Sequence, residues 1–212
     1  MGEANTIIVV FAKAPEPGAV KTRLIPALGA VAAAELQRRL AQRALEASLA
    51  SGIGPVELWC TPDAGHSFFL DCARRYSVVL AVQGAGDLGE RMQRAFDASL
   101  GARERVLLIG SDIPAMTPQY LRDADATLAA GCDAVLGPAE DGGYVLIGLR
   151  RSAPHLFAGM RWGGSDVCEQ TRARLEQLGL RYRELPALWD VDRPEDLTRL
   201  EAGKNWGQSN FS

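Results

Sequence analysis

Three basic side chains, Lys13, Lys21 and Arg23, stand in a short loop where Glu16 is the opposing charge. The loop follows a charge-free, β-branched run at residues 7–12 and carries Pro15, Pro17 and Gly18. Carboxylates recur later: Asp112 after an apolar run, Glu140 and Asp141 after another, and Asp190 and Asp192 near the end. Lysine and arginine neutralise phosphate oxygens, and carboxylates hold a hard divalent cation that bridges those oxygens. The two sets together suit a nucleotide bound with Mg²⁺ or Mn²⁺. Each piece also has a plainer reading. The cations alone could form a solvated loop, Asp112 and Asp192 could cap helices, and Asp141-Gly142-Gly143 could be simple turn chemistry.

Spacing excludes two familiar phosphate loops. Gly18-Ala19-Val20-Lys21-Thr22 has Lys-Thr but no glycine before the lysine, so it is not GxxxxGK[ST]. No GxGxxG follows the first apolar run either.

The elements that must position these residues follow from periodicity. Short apolar runs at 7–12, 56–60, 77–83, 105–110, 133–137, 144–149 and 181–185 read as strands. Helical spacing covers 26–51, 67–76, 88–100, 165–178 and a last stretch ending near 202. Thr117-Pro118 opens a further helix, with threonine at the cap and proline at the first position. Strands alternate with helices throughout. The expected fold is therefore a single-domain α/β fold over 1–202, a mostly parallel sheet with helices on both faces, and a flexible tail over 203–212. Parallel strands would bring the basic loop and the acidic strand ends to one rim. The connection between 137 and 144 fits either an antiparallel hairpin or a wider crossing.

Composition sets outer limits. The chain has 212 residues, 47% of them hydrophobic, and a net charge of −3, so it lacks the basic excess of a nucleic-acid binder. No apolar run approaches the ~20 residues of a membrane span, and the first residues lack a signal-peptide pattern. Cys60, Cys72, Cys132 and Cys168 form no CxxC pair, which points to reduced, structural thiols and a cytoplasmic location. Oligomerisation is left open.

Five motifs in order resemble one family. They are Phe11-Ala12-Lys13-Ala14-Pro15-Glu16-Pro17-Gly18-Ala19-Val20-Lys21-Thr22-Arg23-Leu24, Asp87-Leu88-Gly89-Glu90-Arg91-Met92, Gly110-Ser111-Asp112-Ile113-Pro114, Gly137-Pro138-Ala139-Glu140-Asp141-Gly142-Gly143-Tyr144 and Asp190-Val191-Asp192-Arg193-Pro194-Glu195-Asp196-Leu197. The family is the bacterial group of glycosyltransferase-A-like transferases named radical-SAM/selenodomain-associated transferase 1. That group is similar to 2-phospholactate guanylyltransferase and, more distantly, to molybdenum-cofactor guanylyltransferases. The resemblance implies a nucleotide-diphospho-sugar transferase fold. It implies nucleotide phosphates at Lys13, Gly18, Lys21, Thr22 and Arg23, and base and ribose beside Asp87, Leu88, Gly89 and Arg91. It implies a metal at Asp112 and Asp192, and an acceptor along Asp141, Gly142, Gly143 and Tyr144. Lys21, Arg23 and Asp112 would act on the reacting phosphate. One departure is informative: Ser111-Asp112-Ile113-Pro114 has no second aspartate completing the DxD usual in sugar transferases.

The preferred expectation is thus a metal-dependent nucleotidyltransferase that moves a nucleotidyl group from a nucleoside triphosphate to a small phosphorylated or acidic acceptor. A glycosyltransferase using a nucleotide-sugar is the first alternative, and a nucleotide-binding protein without turnover the second.

Overall fold

Residues 5–202 are described in a computed structural model of the chain. The proposed tail, 203–212, lies outside the described residues. Seven strands form one sheet: β1 (Thr6–Lys13), β2 (Val56–Thr61), β3 (Val79–Val82), β4 (Arg105–Ile109), β5 (Ala134–Pro138), β6 (Tyr144–Leu149) and β7 (Tyr182–Glu184). Their order is β3-β2-β1-β4-β6-β5-β7. Among the described residues β6 alone runs against the rest, antiparallel to both β4 and β5. The connection at 137–144 is therefore an antiparallel hairpin.

Alternation along β1 explains the layering. Ile8, Val10 and Ala12 pack into one core with α2 (Ala30–Ser51), α3 (Ser67–Tyr76) and α5 (Pro118–Ala129). Ile7, Val9 and Phe11 pack into a second core, with α4 (Leu88–Leu100) and α6 (Val167–Gln177). A strand buried on both faces needs an unbroken apolar run, which is what residues 7–12 supply. Fully burying each such side chain contributes roughly 1.5–3 kcal/mol. A third, smaller cluster joins Leu24, Leu36 and Leu40 to Val191 and Leu200, which packs α7 (Pro194–Ala202) against α2.

The helix expected over 26–51 is divided. A 3₁₀ turn at Thr22–Leu24 leads into α1 (Ile25–Leu28), and Gly29, at φ 79°, breaks the path before α2. A positive φ is open to glycine because it has no Cβ to clash. The helix at 165–178 is shorter than its pattern, since Gly164, Ser165 and Asp166 belong to the turn that precedes it.

Candidate functional site

The carboxyl ends of β1, β4 and β5 and the start of β6 surround a cavity of about 490 Å³. Lys13, Lys21, Leu88, Asp112, Asp141, Gly143, Tyr144 and Asp192 all line it. Parallel strands bring these residues together, although Lys21 and Asp192 are separated by most of the chain.

A hydrogen-bonded chain sets the centre of the site. Gln37 on α2 donates from Nε2 to the Ser111 hydroxyl at 3.2 Å. That hydroxyl donates to Asp112 Oδ1 at 3.2 Å. Lys21 Nζ lies 2.6 Å from Asp112 Oδ2 and donates to the Val191 carbonyl at 2.7 Å. The Lys21 side chain is 2% exposed and that of Asp112 is 39% exposed. Lys21 also sits in the left-handed region, at φ 47° and ψ 40°, where a residue bearing a Cβ is strained. Its backbone is held there by the 3₁₀ turn that its carbonyl begins, accepting from Leu24 N at 2.8 Å.

The late acidic segment reaches this centre by backbone pairing. Leu188 bridges Ala139 beyond the end of β5, and Val191 N donates to the Asp112 carbonyl at 3.1 Å. Asp192 then pairs with Arg23. The start of α7 is held by Asp196 instead, whose Oδ2 accepts from Asp192 N at 2.9 Å and Arg193 N at 2.7 Å. Asp192 thus turns its carboxylate to the first loop, away from the capping role its sequence also allowed. Burial, and then the neighbouring Asp141 carboxylate, pushes Asp190 up to about 6, against the opposing pull of Lys21.

The first loop is tied down at several points. Lys13 Nζ donates to the Ala19 carbonyl at 2.8 Å. Ala14 N donates to the Thr61 carbonyl at 2.8 Å, and the His66 ring contacts Glu16 Oε1 at 2.7 Å. Gly18 turns the loop at φ 85°. Gly18, Thr22 and Arg23 are exposed beside the cavity and do not line it.

Four other expected residues have structural tasks. Asp87 and Glu90 cap α4 reciprocally, at 2.9 and 2.8 Å. Arg91 donates from Nε to the Gly86 carbonyl at 3.0 Å. A Cβ on Gly89 would stand 2.7 Å from the Trp162 ring and 2.8 Å from the Phe157 carbonyl. Asp87 and Gly89 line a separate cavity with Arg94 and Phe157. Gly142, at φ 93°, leaves room for the Ser165 carbonyl, which a Cβ would meet at 1.9 Å. Of the α4 segment, Leu88 alone lines the main cavity.

Sequence reasoning passed over Gln37 and Gln83, both about 4% exposed and both lining the cavity. Gln37 shares a helical row with Ala33, Ala41 and Ala44, and a polar residue on that apolar row was the available signal. Gln83 lies just past β3, where its Nε2 donates to the Trp59 carbonyl at 2.8 Å and the Ala12 carbonyl at 3.3 Å. Nothing in its local sequence marked it.

The donor chemistry of the rim suits a hard divalent cation: Asp112 and Asp192, both part-exposed, offer carboxylate oxygens. Among the described residues no three His, Cys, Asp or Glu side chains stand close enough to hold an ion by themselves.

The profile of a family described as uncharacterized proteins conserved in bacteria, DUF2064, matches residues 44–164. The chain belongs to that family. This DUF2064 chain shares its fold with solved transferases. A candidate nucleotide-diphospho-sugar transferase from Desulfovibrio desulfuricans is 34% identical, with a TM-score of 0.86 over 97% of this chain and 90% of that one. The inositol-1-phosphate CTP transferase of T. maritima is 12% identical, with a TM-score of 0.63 over 100% and 99% of the two chains. Glucosyl-3-phosphoglycerate synthase of Mycobacterium tuberculosis, solved with Mn²⁺, UDP and glucosyl-3-phosphoglycerate, is 12% identical, with a TM-score of 0.56 over 92% and 75%. The last two likenesses concern the fold alone. No curated protein matches the chain. Among the described residues no helix is long and apolar enough to cross a membrane.

Proposed function

We propose that this DUF2064 protein is a divalent-metal-dependent transferase with a nucleotide donor. It transfers a nucleotidyl group from a nucleoside triphosphate to a small phosphorylated or acidic acceptor and releases pyrophosphate. The observation that carries this reading is the convergence of Lys13 and Lys21 with Asp112, Asp141 and Asp192 on one cavity.

Each group has a task. Lys13, Lys21 and the rim residue Arg23 neutralise the phosphates, with Gly18 and Thr22 shaping the loop beside them. Leu88 offers an apolar edge to base or ribose, 43% exposed at the cavity. Asp112 and Asp192 would hold Mg²⁺ or Mn²⁺, which supplies charge neutralisation on the leaving phosphate. Asp141, Gly143 and Tyr144 border the acceptor. An acceptor phosphate or carboxylate oxygen is already a nucleophile, so the site needs no side-chain base. Rate acceleration then comes from positioning and electrostatics.

Glycosyl transfer from a nucleotide-sugar is the second reading, favoured by the description of the 34%-identical relative as a candidate nucleotide-diphospho-sugar transferase. Calorimetry separates the two. The four nucleoside triphosphates and the common nucleotide-sugars are titrated with Mg²⁺ or Mn²⁺, and any hit is tested for pyrophosphate release. Saturable binding of a triphosphate with pyrophosphate release supports nucleotidyl transfer. Saturation by nucleotide-sugars alone supports the second reading, and binding without turnover would mark a nucleotide-binding protein.

A further inference from the structure

Both oxygens of Asp112 already have partners. Oδ1 accepts from the Ser111 hydroxyl at 3.2 Å, and Oδ2 lies 2.6 Å from the Lys21 ammonium. A divalent cation binds a carboxylate oxygen at about 2.0–2.6 Å. Placed on Oδ2 it would stand against an ammonium that is 2% exposed, with little water to screen the repulsion. Lys21 is also fixed from behind by its bond to the Val191 carbonyl and by its left-handed backbone. Two contacts therefore hold the ammonium against Asp112 in the free protein.

We propose that Lys21 is a built-in counter-ion which excludes a divalent cation from Asp112 until a polyphosphate arrives and takes over the ammonium. Metal and nucleotide then load as a coupled pair, and the coupling is reciprocal. This rests on the metal-dependent reading above, and it adds an order to it: the free protein does not hold the metal. The strained Lys21 backbone supports the same conclusion, because such conformations persist where surrounding contacts over-determine them. The 3₁₀ turn that begins at its carbonyl holds that backbone, while Asp112 and Val191 hold the ammonium, and a phosphate would replace the first of these two.

The test is electron paramagnetic resonance of Mn²⁺ titrated with three proteins: wild type, Lys21→Met and the double variant Lys21→Met/Asp112→Asn. Inorganic tripolyphosphate binding by calorimetry accompanies it. Lys21→Met is expected to bind Mn²⁺ alone at least tenfold more tightly than wild type, and the double variant to lose that gain. Wild type binding Mn²⁺ alone as tightly as Lys21→Met overturns the exclusion and leaves the metal-dependent reading standing. If no protein binds Mn²⁺ and wild type also ignores tripolyphosphate, both fall. Should Lys21→Met fail to fold, wild type is compared with Asp112→Asn. Mn²⁺ binding by free wild type that Asp112→Asn abolishes overturns the proposal, and equal, weak binding by both supports it.

Discussion

Gly142→Ala separates a packing role from a ligand role at the loop between β5 and β6. The residue has φ 93°, and an added Cβ would lie 1.9 Å from the Ser165 carbonyl oxygen and 2.6 Å from its carbon. The obstructing atoms are backbone, so no side chain can swing aside. Gly142 also accepts from Cys168 N at 2.8 Å, in the first turn of α6. Three effects add: backbone strain of about 1–3 kcal/mol, overpacking of a similar size, and a weakened hydrogen bond of about 1 kcal/mol. A total of roughly 3–7 kcal/mol lowers the melting temperature by about 6–28 °C in a chain of this size. Gly143→Ala is the control, since its Cβ would meet only the Asp141 carboxylate, at 3.2 Å. It should move the melting temperature by no more than about 4 °C. Calorimetric melting of both variants decides the matter. A Gly142→Ala protein that melts with wild type would refute the packing argument and return Gly142 to the acceptor side.

Four further outcomes are expected. Asp112→Asn should lower turnover by a factor on the order of 10²–10³, measured as pyrophosphate release, because on the proposed reading it removes a carboxylate that would hold the metal ion. Asp190 titrates near 6 in the folded protein, above the ordinary carboxylate value, so its native-state penalty is absent below about pH 4 and complete above about pH 7. Asp190→Asn should therefore be more stable than wild type by about 1–2 kcal/mol at pH 8 in chelator, after allowance for solvent screening, and no more stable at pH 4. Burial pushes the Cys60 thiol up to about 12 and Cys72 up to about 11, so at pH 8 a thiol reagent should label the half-buried Cys132 first. Arg23→Met should weaken nucleotide binding more at low ionic strength than at high, as expected for an exposed cation that the proposed function sets beside the phosphates.

The fold was legible because its signals were local. Residues 7–12 read as a buried strand from their uninterrupted β-branched run, and both cores do flank β1. The convergence of Lys21 and Asp112 followed once parallel strands were inferred. Gly29 was less visible, since one glycine within helical periodicity is a weak mark until its φ is known. The hairpin at β5 and β6 could not be chosen over a crossing, because its six-residue motif suits either. The roles of Gly89 and Gly142 depended on partners remote in sequence, Trp162, Phe157 and Ser165, whereas Asp87 caps locally with Glu90. A glycine that makes room for a distant backbone looks the same in sequence as one that approaches a phosphate. Gln83 was hidden for the same reason, as its partners Ala12 and Trp59 lie on other strands.

The most direct measurement of the central claim is pyrophosphate release with Mg²⁺ or Mn²⁺. Each nucleoside triphosphate is supplied against a panel of small phosphorylated and acidic acceptors, with wild type and Asp112→Asn in parallel. The account predicts release by wild type that depends on one triphosphate, one acceptor class and the metal, and that falls to near background in Asp112→Asn. Undiminished release by Asp112→Asn, or a wild-type protein that binds none of the triphosphates, would contradict it.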